Sequence, residues 1–332
     1  MGRFVSVVVP NYNGGPTIRR CLEALFASSY DNFEVVVVDD CSSDGSREII
    51  SRFPCRLIAL NNRSGASKAR NVGAQNSKGE ILFFIDADCM VQKDTLSRVE
   101  RTVVDGEKVV VGGTYTKMPA DDRFFSAFQS VFVHYSETKN DRPDYIATHA
   151  MAIEKNLFEK SGGFPEDFMP IIEDVEFSHR LRRSGSALRM NPSILVSHFF
   201  DFTLTRSLKN AFRKSMYWTA YSLKNRDLLT DSGTASKELK TNVAAYFILL
   251  IICALSLLSR KPELLLFGLP VLALNACVNR KFFSALRSAM GLPLAFLSAF
   301  YYLMVYPLAV GAGSLAGVLK YSLRLGRIQG MR

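Results

Sequence analysis

The stretch Ile81–Met90, "ILFFIDADCM", decides how this chain is read. Five apolar residues in a row suit a strand buried on both faces of a sheet, and the run then ends in Asp86 and Asp88, one residue apart. Paired acids at the end of a buried strand imply that something cationic is held there.

Working outward, Phe4–Pro10 and Glu34–Asp40 ("EVVVVDD") are further continuous apolar runs, as are the shorter Arg56–Leu60 and Val109–Val111. Between the first two, Ile18, Leu22, Leu25 and Phe26 recur at helical spacing, and residues 45–53, 64–77 and 94–103 read as helices. Strands alternating with helices predict an α/β fold with a mainly parallel sheet and right-handed crossovers. Ligands of such sheets collect at the carboxyl ends of the strands, where Asn11–Asn13, Asp39–Asp40 and Asp86–Asp88 all fall. The first of these turns, "PNYNGGP", lacks the GxGxxG spacing of a dinucleotide-binding domain, which sets that reading aside.

Charge divides the 332 residues unevenly: 24 basic and 27 acidic side chains precede Phe202, against 17 and 4 from there on. A basic and very apolar C-terminal part points to a membrane surface, and no RNA-module signature supports nucleic acid as a partner. The six cysteines form no CxxC pair, so reduced, mostly core residues are expected. The opening residues read as the entry to a strand, not as a secretory leader.

Residues 202–240 read as a basic amphipathic helix region, with Arg206, Lys209, Arg213, Lys214 and Lys224 among Phe212, Tyr217, Trp218 and Tyr221. Three charge-free stretches follow, at about 241–259, 264–279 and 288–319. As helices they measure about 28, 24 and 48 Å against a hydrocarbon core of about 30 Å. The third is too long for one straight span, so it is expected to be tilted, partly interfacial or broken near Pro307, with Gly313 and Gly317 allowing close helix approach. The organisation expected is therefore a domain at 1–201, the basic region at 202–240 and a transmembrane region at 241–332.

In order along the chain, "VVVPNYNG", "EVVVVDDCSSDGS", "SKARNVGAQNSKG", "FFIDADC", "SGGFPEDF" and "EDVEFSHRLRRSG" resemble the family 2 glycosyltransferases of the GT-A, nucleotide-diphospho-sugar-binding fold. The likeness covers about residues 4–200, and the C-terminal segments resemble those of membrane-anchored bacterial members more loosely. It implies inverting transfer of a sugar from a UDP-, GDP- or dTDP-sugar to a hydroxyl of a lipid-linked or membrane-presented acceptor in glycan assembly. The location implied is the inner membrane, multi-pass, with the catalytic domain cytosolic. Three rival readings are a polyprenyl-phosphate glycosyltransferase of the dolichol-phosphate-mannose type, a processive synthase, and a non-catalytic membrane scaffold that binds nucleotide sugar. "FRKSMYW" does not match the QxxRW of processive members.

Residues and resemblance then meet site by site. Asp86 and Asp88, on one face of an extended segment, offer hard oxygen ligands to Mg²⁺ or Mn²⁺ beside a diphosphate. The resemblance makes Asp88 the direct ligand and His198 a third metal or phosphate contact. It sets an acid at Asp39 or Asp40 against the nucleotide base, in a pocket framed by Pro10 and Tyr12. Lys68 and Arg70, near a helix start, suit a diphosphate. Glu173 and Asp174 open a helix that ends at Gly185; Asp174 is a helix cap by sequence and the general base by resemblance. Glu173 and His149 are placed on the acceptor side, with plain packing an equal reading for His149.

Overall fold

The computed structural model describes residues 2–329 apart from 168 and 170, so Phe168 of the "SGGFPEDF" stretch and the end of the basic tail lie outside the described residues. The chain divides into two compact units, Met1–Asp122 with Glu137–Asp201, and Arg123–Ser136 with Phe202–Arg332. Residues 123–136, read from sequence as part of the first domain, thus join the second unit.

The first unit is built on an eight-stranded sheet in the order β3-β2-β1-β4-β7-β6-β8-β5. Its strands are β1 Val5–Asn11, β2 Phe33–Asp39, β3 Arg56–Ala59, β4 Ile81–Phe84, β5 Cys89–Val91, β6 Val109–Tyr115, β7 Met151–Glu154 and β8 Ala187–His198. The expected parallel half is present, with β1 flanked by β2 and β4 and β2 by β3. Beyond β4 the sheet is mixed: β7 runs antiparallel to β4 and to β6, β8 is parallel to β6, and β5 closes the edge antiparallel to β8. The valines and phenylalanines of β1 and β4 are fully buried, as strands covered on both faces require.

Helices α1 Gly15–Phe26, α2 Ser46–Ile50, α3 Ala66–Gln75 and α4 Thr95–Thr102 follow β1, β2, β3 and β5. The next helix, α5 Phe124–Thr138, lies mostly in the second unit, and α6 Lys155–Lys160 and α7 Glu173–Arg183 belong to the first. Helix α7 exists because Val175, Phe177, Ser178 and Leu181 form one buried stripe. Its Phe177 ring sits 4.6 Å from Phe164, which meets Phe84 of β4 edge-on at 5.1 Å. That aromatic cluster fixes the start of α7 against the sheet. Two of the six cysteines, Cys21 and Cys89, are buried, fewer than the composition suggested.

The second unit adds α8 Leu204–Asn225, α9 Lys237–Ser259, α10 Gly268–Phe300 and α11 Tyr306–Gln329. Two stretches, Lys237–Ser259 and Pro262–Leu323, are long and apolar enough to cross a membrane, with 17% and 44% of their most apolar windows buried. The break lies elsewhere than Pro307: the chain leaves helical geometry at Gly291, ahead of Pro293, while Pro307 sits in the first turn of α11, after a π-helical turn at Tyr301–Val305. The backbone stays helical from Phe300 through that turn into Tyr306, so Pro307 lies inside a continuous helix and its missing N–H coincides with the wider π turn before it. Gly313 and Gly317 do permit close approach, and their partner is the basic helix α8. A Cβ at either would lie 2.3 Å from the Phe212 carbonyl oxygen or 2.5 Å from that of Met216. Helix α8 is therefore packed on α11, with Arg206, Lys209, Arg213 and Lys214 exposed. Asn242, Asn275, Asn279 and the Tyr302 hydroxyl form a buried hydrogen-bonded chain among α9, α10 and the π turn, the kind of polar contact that joins apolar helices.

Candidate functional site

A cleft of about 430 Å³ opens at the carboxyl ends of β1 and β4, where the strand order switches direction. Pro10, Tyr12, Asp40, Arg70, Asp86 and Asp88 line it, together with Phe199 and Asp201, which the sequence did not single out.

The two acids of the opening stretch reach the cleft by a different route from the one expected. Strand β4 ends at Phe84, and Asp86–Cys89 is a turn closed by the Cys89 N–H donating to the Asp86 carbonyl at 3.0 Å. Period-two alternation therefore does not apply; the turn sends the two carboxylates to different partners. Asp86 takes a hydrogen bond of 2.7 Å from Arg70 Nη2. Asp88 faces His198, Oδ1 to Nε2 3.3 Å, because β5 and β8 pair with Cys89 opposite His198.

Arg70 is the hub. Only 4% of its side chain is exposed, and its Nη1 donates to Glu173 Oε1 at 2.7 Å. Its Nε is buried with no partner among the described residues. Burial opposes ionisation of Asp86, but the guanidinium wins and holds its carboxyl below the ordinary value. Asp88 goes the other way: burial and the charge of Asp86 raise it, against the pull of His198. Burial likewise pushes the Cys89 thiol up, so it stays protonated.

Removing the hub has a predictable cost. Arg70→Met strands two carboxylates, and breaking such a buried pair costs about 3–5 kcal/mol, at the low end here because Asp86 remains 32% exposed. The pH dependence has a definite sign. A depressed carboxyl contributes stability fully above its unfolded value of about 3.9 and loses it as pH falls through the folded one. Wild-type protection of α3 and α7 amides in hydrogen exchange should decline in that acid window, and the variant should lack the protection already at neutral pH.

The donor atoms of Asp88, Cys89 and His198 lie within 4.8 Å of one another. The set offers a carboxylate oxygen, a thiol sulfur and an imidazole nitrogen, donors that suit a divalent cation. The Tyr115 ring stands between two histidines, stacked on His149 at 4.0 Å and edge-on to His198 at 4.9 Å.

Of the other expected residues, Asp40 is on the cleft wall and accepts from the N–H groups of Ser64 and Gly65 at 2.6 and 2.8 Å. Asp39 is a brace instead, fully buried and bonded to Asn11, Ser42 N–H and Arg47. Tyr12 is 42% exposed and carries the Arg63 guanidinium 4.1 Å above its ring, a contact with no sequence signal. Lys68 is not brought to the cleft. Two positions from Arg70 on a helix, it points about 200° away and pairs with Glu166 at 3.0 Å. His149 is buried beside Glu137, Nε2 to Oε2 3.3 Å, and does not line the cleft. Glu173 is bound to Arg70, and Asp174 follows in the first turn of α7, its Oδ1 accepting from the Val175 N–H at 2.9 Å; neither lines the cleft, which Glu173 reaches only through Arg70. The preceding Ile172 has φ 82°, a strained value for a β-branched residue and one found chiefly where function demands it.

The family described as Glycosyl transferase family 2 matches residues 6–160. Among curated relatives, the succinoglycan biosynthesis protein ExoO of Rhizobium meliloti is 38% identical over 196 residues, 58% of this chain and 54% of that one. The glycosyltransferase AglE of Haloferax volcanii is 28% identical over 206 residues, 59% and 66% of the two chains. The glycosyltransferase GlyG of Streptococcus pneumoniae is 33% identical over 131 residues, 38% and 44%. The matches thus span about half to two thirds of these relatives' lengths. Among solved structures, the Pyrobaculum calidifontis mannosyltransferase PcManGT, in complex with GDP-Man and Mn²⁺, aligns over 97% of this chain and 87% of its own with TM-score 0.58 at 20% identity. The fold is that of the GT-A glycosyltransferases.

Proposed function

We propose, from the match of residues 6–160 to glycosyltransferase family 2, that the protein is a metal-dependent inverting glycosyltransferase. It moves a sugar from a nucleoside diphosphate donor to a hydroxyl of a membrane-presented acceptor in glycan assembly. The observation that carries this reading is that Asp88, on the wall of the cleft that also holds the Arg70–Asp86 pair, is met from behind that wall by His198. The relatives named for glycan assembly and the GDP-Man and Mn²⁺ of the mannosyltransferase support it.

In this reading Asp40 hydrogen-bonds the base, with Pro10 and Tyr12 as walls, and Arg70 keeps Asp86 ionised and oriented beside the diphosphate. Asp88 and His198 would hold a divalent ion, Mg²⁺ or Mn²⁺, which when bound would supply positive charge to offset that of the leaving diphosphate. Asp174 takes the proton of the acceptor hydroxyl as its oxygen bonds to the anomeric carbon and the bond from that carbon to the diphosphate breaks on the opposite face. The direct test is a screen of UDP-, GDP- and dTDP-sugars with the purified protein. One donor should turn over with Mn²⁺ and none in EDTA; equal turnover in EDTA removes the metal from the reading.

The membrane part rests on the two apolar stretches, where Leu257, Leu258, Leu266 and Phe296 are each at least 65% exposed. Burying them in lipid removes the penalty of holding them in water. We assign the protein to the cytoplasmic membrane as a multi-pass protein with its catalytic unit cytosolic. The exposed arginines and lysines of α8 add about 1 kcal/mol each near an anionic leaflet. Changing Arg206, Lys209, Arg213 and Lys214 to Gln should leave donor hydrolysis intact. Transfer to native membrane lipid should fall and lose its salt sensitivity. Normal transfer by that variant would point to a soluble acceptor.

A further inference from the structure

At the far end of α7 from Glu173, about 15 Å along the helix, a second cavity of about 390 Å³ is lined by Arg142, Pro143, Arg182, Ser186, Leu188 and Arg189 with Ala187. It shares no residue with the donor cleft. Among the described residues, the three guanidinium groups make no hydrogen bond or ion pair. That is not because acids are wanting on α7: Arg180 and Arg183, on either side of Arg182, both pair with Glu176. No carboxylate lines the cavity.

The fourth polar group is the less expected one. Helix α7 ends in a Schellman turn, with the Ser186 N–H donating to the Leu181 carbonyl, the Gly185 N–H to that of Arg182, and Gly185 at φ 87°. The residue after such a glycine commonly makes an apolar contact back to the helix. Here it is Ser186, 6% exposed, its hydroxyl buried without a hydrogen-bond partner among the described residues. A buried hydroxyl left unpaired is costly.

We propose that this cavity binds a phosphorylated ligand. Three exposed, permanently charged guanidinium groups with fork-shaped donors match phosphate oxygens, and Ser186 on the same wall carries a hydroxyl in want of a partner. The apolar wall of Pro143, Ala187 and Leu188 and a volume within the usual range of ligand sites, about 300–1,000 Å³, accommodate the organic part that carries the phosphate.

The ligand can be soluble or a lipid headgroup, and hydrogen exchange of the 185–189 backbone separates the two in full-length protein in dodecyl maltoside with EDTA. Inorganic pyrophosphate in plain micelles represents the soluble source, and micelles doped with phosphatidic acid represent the lipid. One of the probes should slow exchange of this segment, and which one does so names the source. In R142Q/R182Q/R189Q half-saturation should weaken about a hundredfold, and in Ser186→Ala about three- to tenfold. Unchanged exchange elsewhere in these variants establishes that they are folded. No protection from either probe, or equal protection in the triple variant, overturns the proposal.

Discussion

Replacing Asp88 with Asn should abolish turnover, by more than about a hundredfold even with Mn²⁺ in excess, while the first unit stays folded. Weakening a residue that merely orients a metal ligand already costs 10–100-fold, so losing a ligand costs more. The amide keeps the shape of the side chain and can still face His198 across the 3.3 Å contact, but it brings no charge. Stability should hold or rise slightly, because burial and Asp86 disfavour the ionised form of Asp88 in the first place. Wild-type Mn²⁺ affinity carries the same signature in its pH dependence. Protons compete with the metal at both Asp88 and the His198 nitrogen, so affinity should fall on acidification, and a carboxyl raised above its ordinary value adds to that fall from a higher pH than an ordinary aspartate would. Asp86, held low by Arg70, remains charged through that window. Calorimetric titration of Mn²⁺ at several pH values checks both statements, and Asp88→Asn with near-normal Mn²⁺ affinity would move the metal elsewhere.

Much of this site was legible in the sequence because its parts sit at strand ends, and apolar runs mark strand ends well. Asp40, Asp86, Asp88 and Tyr12 were placed on one rim by that logic, and the structure brings them to one cleft. What the sequence hid is local geometry and long-range pairing. The turn at Asp86–Cys89 depends on where β4 stops, which a run of apolar residues does not state. The three-residue strand β5 has too few residues for a period, yet its pairing with β8 sets His198 beside Asp88 across 110 positions. Lys68 departs from Arg70 for a simpler reason: two residues that stand together near a helix start in the sequence lie on opposite faces of the helix, and Lys68 pairs with Glu166. The Glu137–His149 pair and the Tyr115 ring between the histidines carry no motif, since packing polar residues under a sheet edge leaves no spacing to read. In the C-terminal part length alone leaves a tilt, an interfacial course or a break near Pro307 open, and the break that occurs, at Gly291 with φ 74°, carries no length signal.

Asp174→Asn should lower kcat by about 10²–10⁴-fold with little change in donor affinity. The two acids that open α7 sit in different surroundings. Glu173 is 13% exposed and tied to the buried Arg70, so its charge is used in holding that guanidinium and, through it, Asp86. Asp174 is half-buried and sits one position on, about 100° around the helix. The left-handed Ile172 before them sets how both leave the chain. Asn at 174 can still accept from the Val175 N–H, so helix stability should barely move, and what it loses is the ability to accept a proton. Glu173→Gln should do the reverse, loosening α3 and α7 and weakening the donor site while keeping the proton acceptor. A pH–rate profile distinguishes the two without ambiguity. If Asp174 is the base, the acid limb of kcat vanishes in Asp174→Asn and survives in Glu173→Gln. Loss of donor affinity with kcat preserved in Asp174→Asn would make the residue a binding group, and the acceptor's proton would then have to leave by another route.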